Sequence, residues 1–348
     1  MHLEKLGKVL FDEPKFRFKQ AKQAVFVDLI DDWSKATNFS LPLRERLNQE
    51  CPLRIKAEIF KSRDKNSVKA LINLADGLKV ETVLLKHADG RNTVCVSSQV
   101  GCAMGCLFCA TGKMGFKRNL TAEEILEQVL FWARKLKYNP PTPLSKGGLR
   151  GLKGGGKVTN IVFMGMGEPF LNYANVMAAI KILNNKDGLN IGARHISLST
   201  IGTSGGIKKL AKEKLQINLA LSLHAPTDEL RAKIIPYNVA NPIKSLIKDI
   251  NYYLSQTSRR LMIEYLMIDG FNDALEQALE LAELLKHIDP PLFFVNLIAY
   301  NPTDEFKPST SRAIFEFKKI LRDKKIDVTE RYRFGADIKA ACGQLAGK

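Results

Sequence analysis

The sequence predicts an α/β fold, a partial (βα)6 barrel preceded by a small helical domain. Three observations predict it. Six short apolar runs recur between Thr93 and Tyr300, each followed by a loop and a helix-like segment. Several of these runs lack polar–apolar alternation, the pattern of strands covered on both faces. Residues 1 to about 75 lack this rhythm altogether.

In chain order, Lys15 to Trp33 and Leu41 to Ala75 read as short helices rich in basic residues, among them Lys61, Arg63, Lys65 and Lys69. Residues 1–75 are therefore expected to form a helical accessory domain whose basic face suits RNA, although a solvated charged surface reads the same way. Residues 76–91 read as a linker or strand extension, and residues 92–348 as the barrel with a C-terminal segment. The expected strands are Thr93 to Ser97, Asn160 to Met164, His195 to Thr200, Ile217 to Leu223, Leu261 to Met267 and Phe293 to Tyr300. Thr121-Ala-Glu-Glu124 fits a capping box, with Ile125, Val129 and Trp132 following at helical spacing. Val176, Ile180 and Leu183 make a second apolar stripe, and Leu275, Leu279, Ala282 and Leu285 a third. Tyr138 to Lys157 is rich in Pro, Gly and Lys and reads as a flexible insertion. In a strand-then-helix barrel, residues just past the strand ends build the active site.

Composition narrows the function classes. The chain has 348 residues, 45% hydrophobic and 26% charged, which fits a globular protein and excludes disordered and collagenous classes. No apolar run reaches the roughly 18 residues of a membrane span. The N-terminal residues lack a secretory pattern, so a cytoplasmic location is expected. Lys and Arg number 53 against 36 Asp and Glu, a formal charge of +17, which favours a polyanionic partner such as nucleic acid. Six cysteines are too few for a disulfide scaffold.

Three of those cysteines form the sharpest signal, Cys102-Ala-Met-Gly-Cys106-Leu-Phe-Cys109. Thiolates at this spacing on a glycine-bearing loop can converge on a soft metal centre, an iron–sulfur cluster or zinc. Structural zinc takes four ligands, usually in two pairs, and no second pair is present. Three ligands leave one coordination position open for chemistry.

This motif, with Phe108 before its last cysteine, resembles the signature of radical S-adenosylmethionine enzymes, which implies a [4Fe–4S] cluster and a full or partial barrel. The flanking strings CVSSQVGC (Cys95 to Cys102), GMGEP (Gly165 to Pro169), STIG (Ser199 to Gly202), LSLHAP (Leu221 to Pro226), the pair Asn301-Pro302 and ADIKAACGQLAG (Ala336 to Gly347) resemble the RlmN/Cfr family of RNA adenine methyltransferases, in order, from about Glu81 onward. Likeness to the branch that acts on carbon 2 of adenine is closer than to the branch that acts on carbon 8.

The resemblance implies roles residue by residue. Cys102, Cys106 and Cys109 ligate the cluster. Gly167, Glu168, Ser199, Ser222, Leu223, His224 and Asn301 bind S-adenosylmethionine. Cys342 is methylated by one S-adenosylmethionine; hydrogen abstraction from that methyl group then gives a carbon radical that adds to the adenine. Cys95 attacks the sulfur of Cys342, releases methylated RNA and leaves a disulfide, and Glu81 is the candidate base. The implied partners are 23S rRNA, tRNA in some relatives, and an electron donor such as flavodoxin or ferredoxin, with a monomeric enzyme and no membrane. Two other readings stay open from the residues themselves: a basic RNA-binding module with structural metal, and a radical enzyme acting on a small molecule. The second has no need of the charge or of the paired Cys95 and Cys342.

Overall fold

The computed structural model describes residues 3–138, 156–303 and 306–347; most of the insertion expected at Tyr138 to Lys157 lies outside them. Twelve strands run in chain order among the described residues: β1 (Ala57–Lys61), β2 (Ser67–Asn73), β3 (Lys79–Lys86), β4 (Asn92–Cys95), β5 (Gln99–Gly101), β6 (Phe116–Asn119), β7 (Asn160–Phe163), β8 (Ile196–Thr200), β9 (Asn218–Ser222), β10 (Leu261–Met267), β11 (Phe293–Ala299) and β12 (Val328–Glu330). Ten of them form one sheet, ordered β1-β2-β3-β4-β7-β8-β9-β10-β11-β12, while β5 and β6 make a separate hairpin. Within the ten-stranded sheet every pairing from β4 to β12 is parallel. The sheet does not close on itself, since β1 and β12 remain its edges. It is a partial barrel extended by an antiparallel flap.

All six expected strands are present, β10 with the expected bounds, and each shifts by at most a few residues. β12 is an additional parallel strand. The expected helical reading of Leu41 to Ala75 is corrected: a helix covers Leu41–Glu50, but β1 and β2 form an antiparallel hairpin. β1 is mostly exposed along its length, and Lys69 interrupts the apolar run of β2, so neither shows a clean period of two. That lysine is nevertheless buried, in an ion pair described below.

The capping box forms as expected, with Thr121 N–H donating to Glu124 Oε2 at 2.9 Å and Glu124 N–H to Thr121 Oγ1 at 3.2 Å. Ile125, Val129 and Trp132 on its helix are buried, as are Val176, Ile180 and Leu183 on theirs. The third stripe is offset: Leu275 and Leu279 face outward, and Ala278, Leu281, Ala282 and Leu285 make the buried face. A helix turns about 100° per residue, so a stripe begun one position early drifts off the core side. The N-terminal helices enclose their own apolar core around Trp33, Phe26, Leu43 and Leu47, and it reaches the barrel through Leu130 and Ala133 of the helix Ala122–Tyr138. No helix among the described residues is long and apolar enough to cross a membrane.

Candidate active site

The β5–β6 hairpin holds the cysteine loop. At Gly101, with φ +75°, a Cβ would lie 1.8 Å from the Gly115 carbonyl oxygen, so no other residue fits this crossing. Cys102 N–H donates to that same carbonyl at 3.1 Å, and Cys109 N–H donates to Cys106 O at 3.1 Å. Burial pushes the Cys102 thiol up to about 12 and the Cys106 thiol well above its ordinary value, with the neighbouring cysteines adding to the rise. The three sulfurs therefore share one electrostatic neighbourhood. Among the described residues, no three His, Cys, Asp or Glu side chains are gathered as a cage for a single ion. One buried and two half-buried thiols on one loop, with no fourth protein ligand, fit a cluster that brings its own inorganic core, since a metal strips the protons that burial retains.

A cavity of about 830 Å³, open to solvent, adjoins this loop at Phe108 and Cys109 and lies past the ends of β7, β8 and β9. Gly167, Glu168, Ser199, Ser222 and His224 line it. Gly167 has φ +97°, and a Cβ there would stand 2.5 Å from Gln99 Cβ. Gln99 Oε1 in turn accepts the Glu168 N–H at 2.9 Å. Glu168 is buried; its Oε1 accepts Phe170 N–H at 3.0 Å and its Oε2 accepts Ile201 N–H at 3.1 Å. Burial still raises its carboxyl to about 7, against the opposing pull of those N–H groups. An ammonium group arriving there would supply the missing positive charge.

Ser199 Oγ and Ser222 Oγ stand 3.4 Å apart on neighbouring strands. His224, with φ +62°, accepts Leu266 N–H on Nδ1 at 3.1 Å, and burial lowers its imidazole to about 3, so the ring stays neutral. It packs edge-on against Phe108. Leu223, between Ser222 and His224, does not line this cavity: its side chain is in the core, and its carbonyl accepts Arg231 Nε–H at 2.9 Å.

A second, narrower cavity is lined by both Cys95 and Cys342. Cys342 also lines the first. Asn301 belongs to this second cavity, where its Nδ2 donates to the Cys342 carbonyl at 3.1 Å. Neither cysteine is in a disulfide. Burial, then the neighbouring Cys342, pushes the Cys95 thiol up to about 12; burial also raises Cys342, which Arg331 opposes. Arg331 follows β12 and lines both cavities. Its Nη1 donates to both oxygens of Glu264 at 3.1 Å, and its Nη2 lies 3.1 Å from Met164 Sδ.

Glu81 lines neither cavity. It is 1% exposed, with Oε1 paired to Lys69 Nζ at 2.7 Å. Its Oε2 accepts the N–H groups of Ala346 at 2.6 Å and Gly347 at 3.2 Å. In this arrangement it anchors the segment that carries Cys342. Sequence reasoning misses Arg331, Glu264 and Arg231. Recognising β12 as a strand would have pointed to Arg331, but β12 has only three residues.

The barrel, the thiol trio and the cavity past the strand ends define a radical S-adenosylmethionine enzyme. Residues 149–285 match the model of the Radical SAM superfamily. A radical SAM methyltransferase from Sphaerobacter thermophilus superposes with a TM-score of 0.90 at 40% identity, covering 100% of this chain and 98% of that one. A probable dual-specificity RNA methyltransferase RlmN from Dictyoglomus thermophilum is 45% identical over 96% of this chain and 91% of its own length. One of the same description from Bacillus licheniformis is 41% identical over 97% and 89%. The ribosomal RNA large subunit methyltransferase N of Nitrosopumilus maritimus is 45% identical over 82% and 78%. The chain belongs to the RlmN family of RNA methyltransferases.

Proposed function

We propose that this protein methylates carbon 2 of adenine in RNA, with a [4Fe–4S] cluster and S-adenosylmethionine as cofactors and Cys342 as the methyl carrier. One observation carries the reading. Cys95 and Cys342, far apart in sequence, line one cavity, and of the two only Cys342 also lines the adjoining cavity with Glu168 and Cys109. A methyl carrier has to reach both the cofactor and the substrate, and a shared wall gives it that reach.

Cys102, Cys106 and Cys109 would hold the cluster, which when bound supplies the single electron that splits S-adenosylmethionine. Glu168 receives the ammonium end of that cofactor, while the Ser199 and Ser222 hydroxyls offer hydrogen bonds beside it. Arg331 stands next to Cys342 and favours the thiolate, the form that accepts a methyl group by displacement. Cys95 is buried and protonated until the adduct forms. Having given up its proton, its sulfur then attacks the Cys342 sulfur: an S–S bond forms as the bond from the carrier methylene to sulfur breaks, the electron pair of the broken bond leaves with the methylene, a proton taken up there completes the methyl group, and two-electron reduction resets both thiols. Glu81 is the base of this reading only once its carboxylate leaves the Ala346 and Gly347 amides.

The RNA is 23S rRNA, with tRNA as a second substrate, and the enzyme works as a cytoplasmic monomer fed by a flavodoxin or ferredoxin. Peptide mass mapping of enzyme prepared with S-adenosylmethionine tests the carrier. The Cys342 peptide is expected to gain roughly 14 Da, one methylene. Active, cluster-loaded enzyme with an unmodified Cys342 would overturn the reading.

A further inference from the structure

Arg231 is 1% exposed, on the short helix Asp228–Ile234. All its recorded partners are neutral. Nε–H donates to Leu223 O at 2.9 Å, Nη1 to Asn238 Oδ1 at 2.8 Å, and Nη2 to Ile201 O at 2.7 Å and Ser222 O at 3.1 Å. Among the described residues no carboxylate forms an ion pair with it within 4.0 Å. Asp228 is set back behind Asn238, its Oδ1 accepting Asn238 Nδ2–H and Ile243 N–H, each at 2.8 Å. Burying a cation costs several kcal/mol unless a charge of opposite sign answers it. Four neutral acceptors take up four of its five hydrogens and leave the charge.

The same helix touches the cysteine loop. Leu107 N–H, between two of the cysteines, donates to Ile234 O at 3.0 Å, and Ile234 and Ile235 pack with Met104 and Cys106 in one apolar cluster. Burial lowers the guanidinium to about 10, and of the charges acting on it Cys106 is the strongest, ahead of Asp228. Three thiolates on a doubly positive core leave one net negative charge, and reduction doubles it. A fixed, buried cation close by favours the reduced state.

We infer that Arg231 is a positioning residue whose counter-ion is the iron–sulfur cluster itself, so that its buried charge raises the cluster's reduction potential while its hydrogen bonds tie the ends of β8 and β9 to the helix that contacts the cysteine loop. This rests on the cluster reading above. No proton moves; one electron from the external donor enters, and the guanidinium offsets the added charge.

The test is a redox titration of the reconstituted, S-adenosylmethionine-free enzyme, followed by the electron paramagnetic resonance of the reduced cluster. In Arg231→Gln the reduced-to-oxidised ratio at a fixed potential is expected to fall about tenfold, a midpoint lower by about 59 mV for one electron. Asp228→Asn keeps an oxygen acceptor for Asn238 and Ile243 and removes the competing anion, so its midpoint is expected to rise, by a smaller amount. Cluster-loaded Arg231→Gln titrating with the wild type overturns the inference. Should that variant fail to load iron, Asp228→Asn decides: a rise supports it and an unmoved or lowered midpoint overturns it. Wild-type enzyme without a [4Fe–4S] signal sinks the functional reading as well, whereas a wild-type cluster whose potential ignores both variants sinks this inference alone.

Discussion

Glu168 holds its proton to a higher pH than an ordinary carboxyl because burial outweighs two backbone N–H groups aimed at its oxygens. With the folded carboxyl at about 7 and an ordinary value of 4.5, the native state holds a proton across that window that the unfolded chain has lost. Stability from this group therefore falls as pH rises from 4.5 to 7. His224 acts the other way. Its imidazole protonates near 6.5 in the unfolded chain and near 3 in the fold, so its contribution is lost as pH falls below 6.5. The cluster-free protein is expected to hide both slopes where the windows overlap, and Glu168→Gln exposes one of them. Relative to wild type, that variant should gain roughly 3 kcal/mol between pH 4.5 and 7 in urea unfolding. A difference that stays flat across this range would place the Glu168 carboxyl at its ordinary value. Glu168 is legible in the sequence through GMGEP, but its buried, cation-free setting is not, because Ile201 and Phe170 close over it only in the fold.

The C-terminal segment is held as one element by several short contacts. Ala110 N–H donates to Gly343 O at 2.7 Å, Thr111 Oγ1 to Leu345 O at 2.7 Å, and Glu81 receives the two amides beyond. Glu81 and Lys69 are both buried, so breaking their pair leaves an uncompensated charge at a cost of about 3 to 5 kcal/mol. Glu81→Gln is expected to lower the thermal midpoint of the cluster-free protein accordingly, and Glu81→Gln with Lys69→Met to recover most of the loss. If the single variant melts with the wild type, Glu81 is not the anchor of this segment. Strands β7 to β11 are legible in the sequence because most of their side chains are buried, leaving apolar-rich runs such as Leu261–Met267, broken only by Glu264. β1 and β2 are not, since the Lys69–Glu81 pair depends on strand neighbours that no local pattern reveals. The same limit applies to Asn301, which the fold turns toward Cys342 rather than Glu168.

At the scale of the whole molecule, charge and architecture divide the work. The N-terminal helices enclose a separate core around Trp33 and meet the barrel at Leu130 and Ala133 of the helix Ala122–Tyr138, with Val158, Ile182 and Leu189 packed against the same core, and Arg134 Nη1 donates to Leu53 O across the junction at 2.8 Å. The cofactor cavity is instead a local construction of strand ends. A formal charge of +17 acts over the screening length of the solution, about 10 Å at 0.1 M salt, so it governs how a polyanion is gathered rather than how the cavity works. RNA affinity is therefore expected to fall steeply with salt. An interface neutralising about six or more phosphates loses roughly 10³-fold between 50 and 200 mM, with log affinity linear in log salt. S-adenosylmethionine binding to the reconstituted enzyme should change much less over the same range, because Glu168 is buried and little screened. Fluorescence anisotropy of a labelled rRNA hairpin and calorimetry of the cofactor, run in the same salt series, measure both. Equal salt slopes for the two ligands would place the basic surplus outside substrate capture, and RNA recognition would then rest on shape and base stacking in the cavity that holds Cys95 and Cys342.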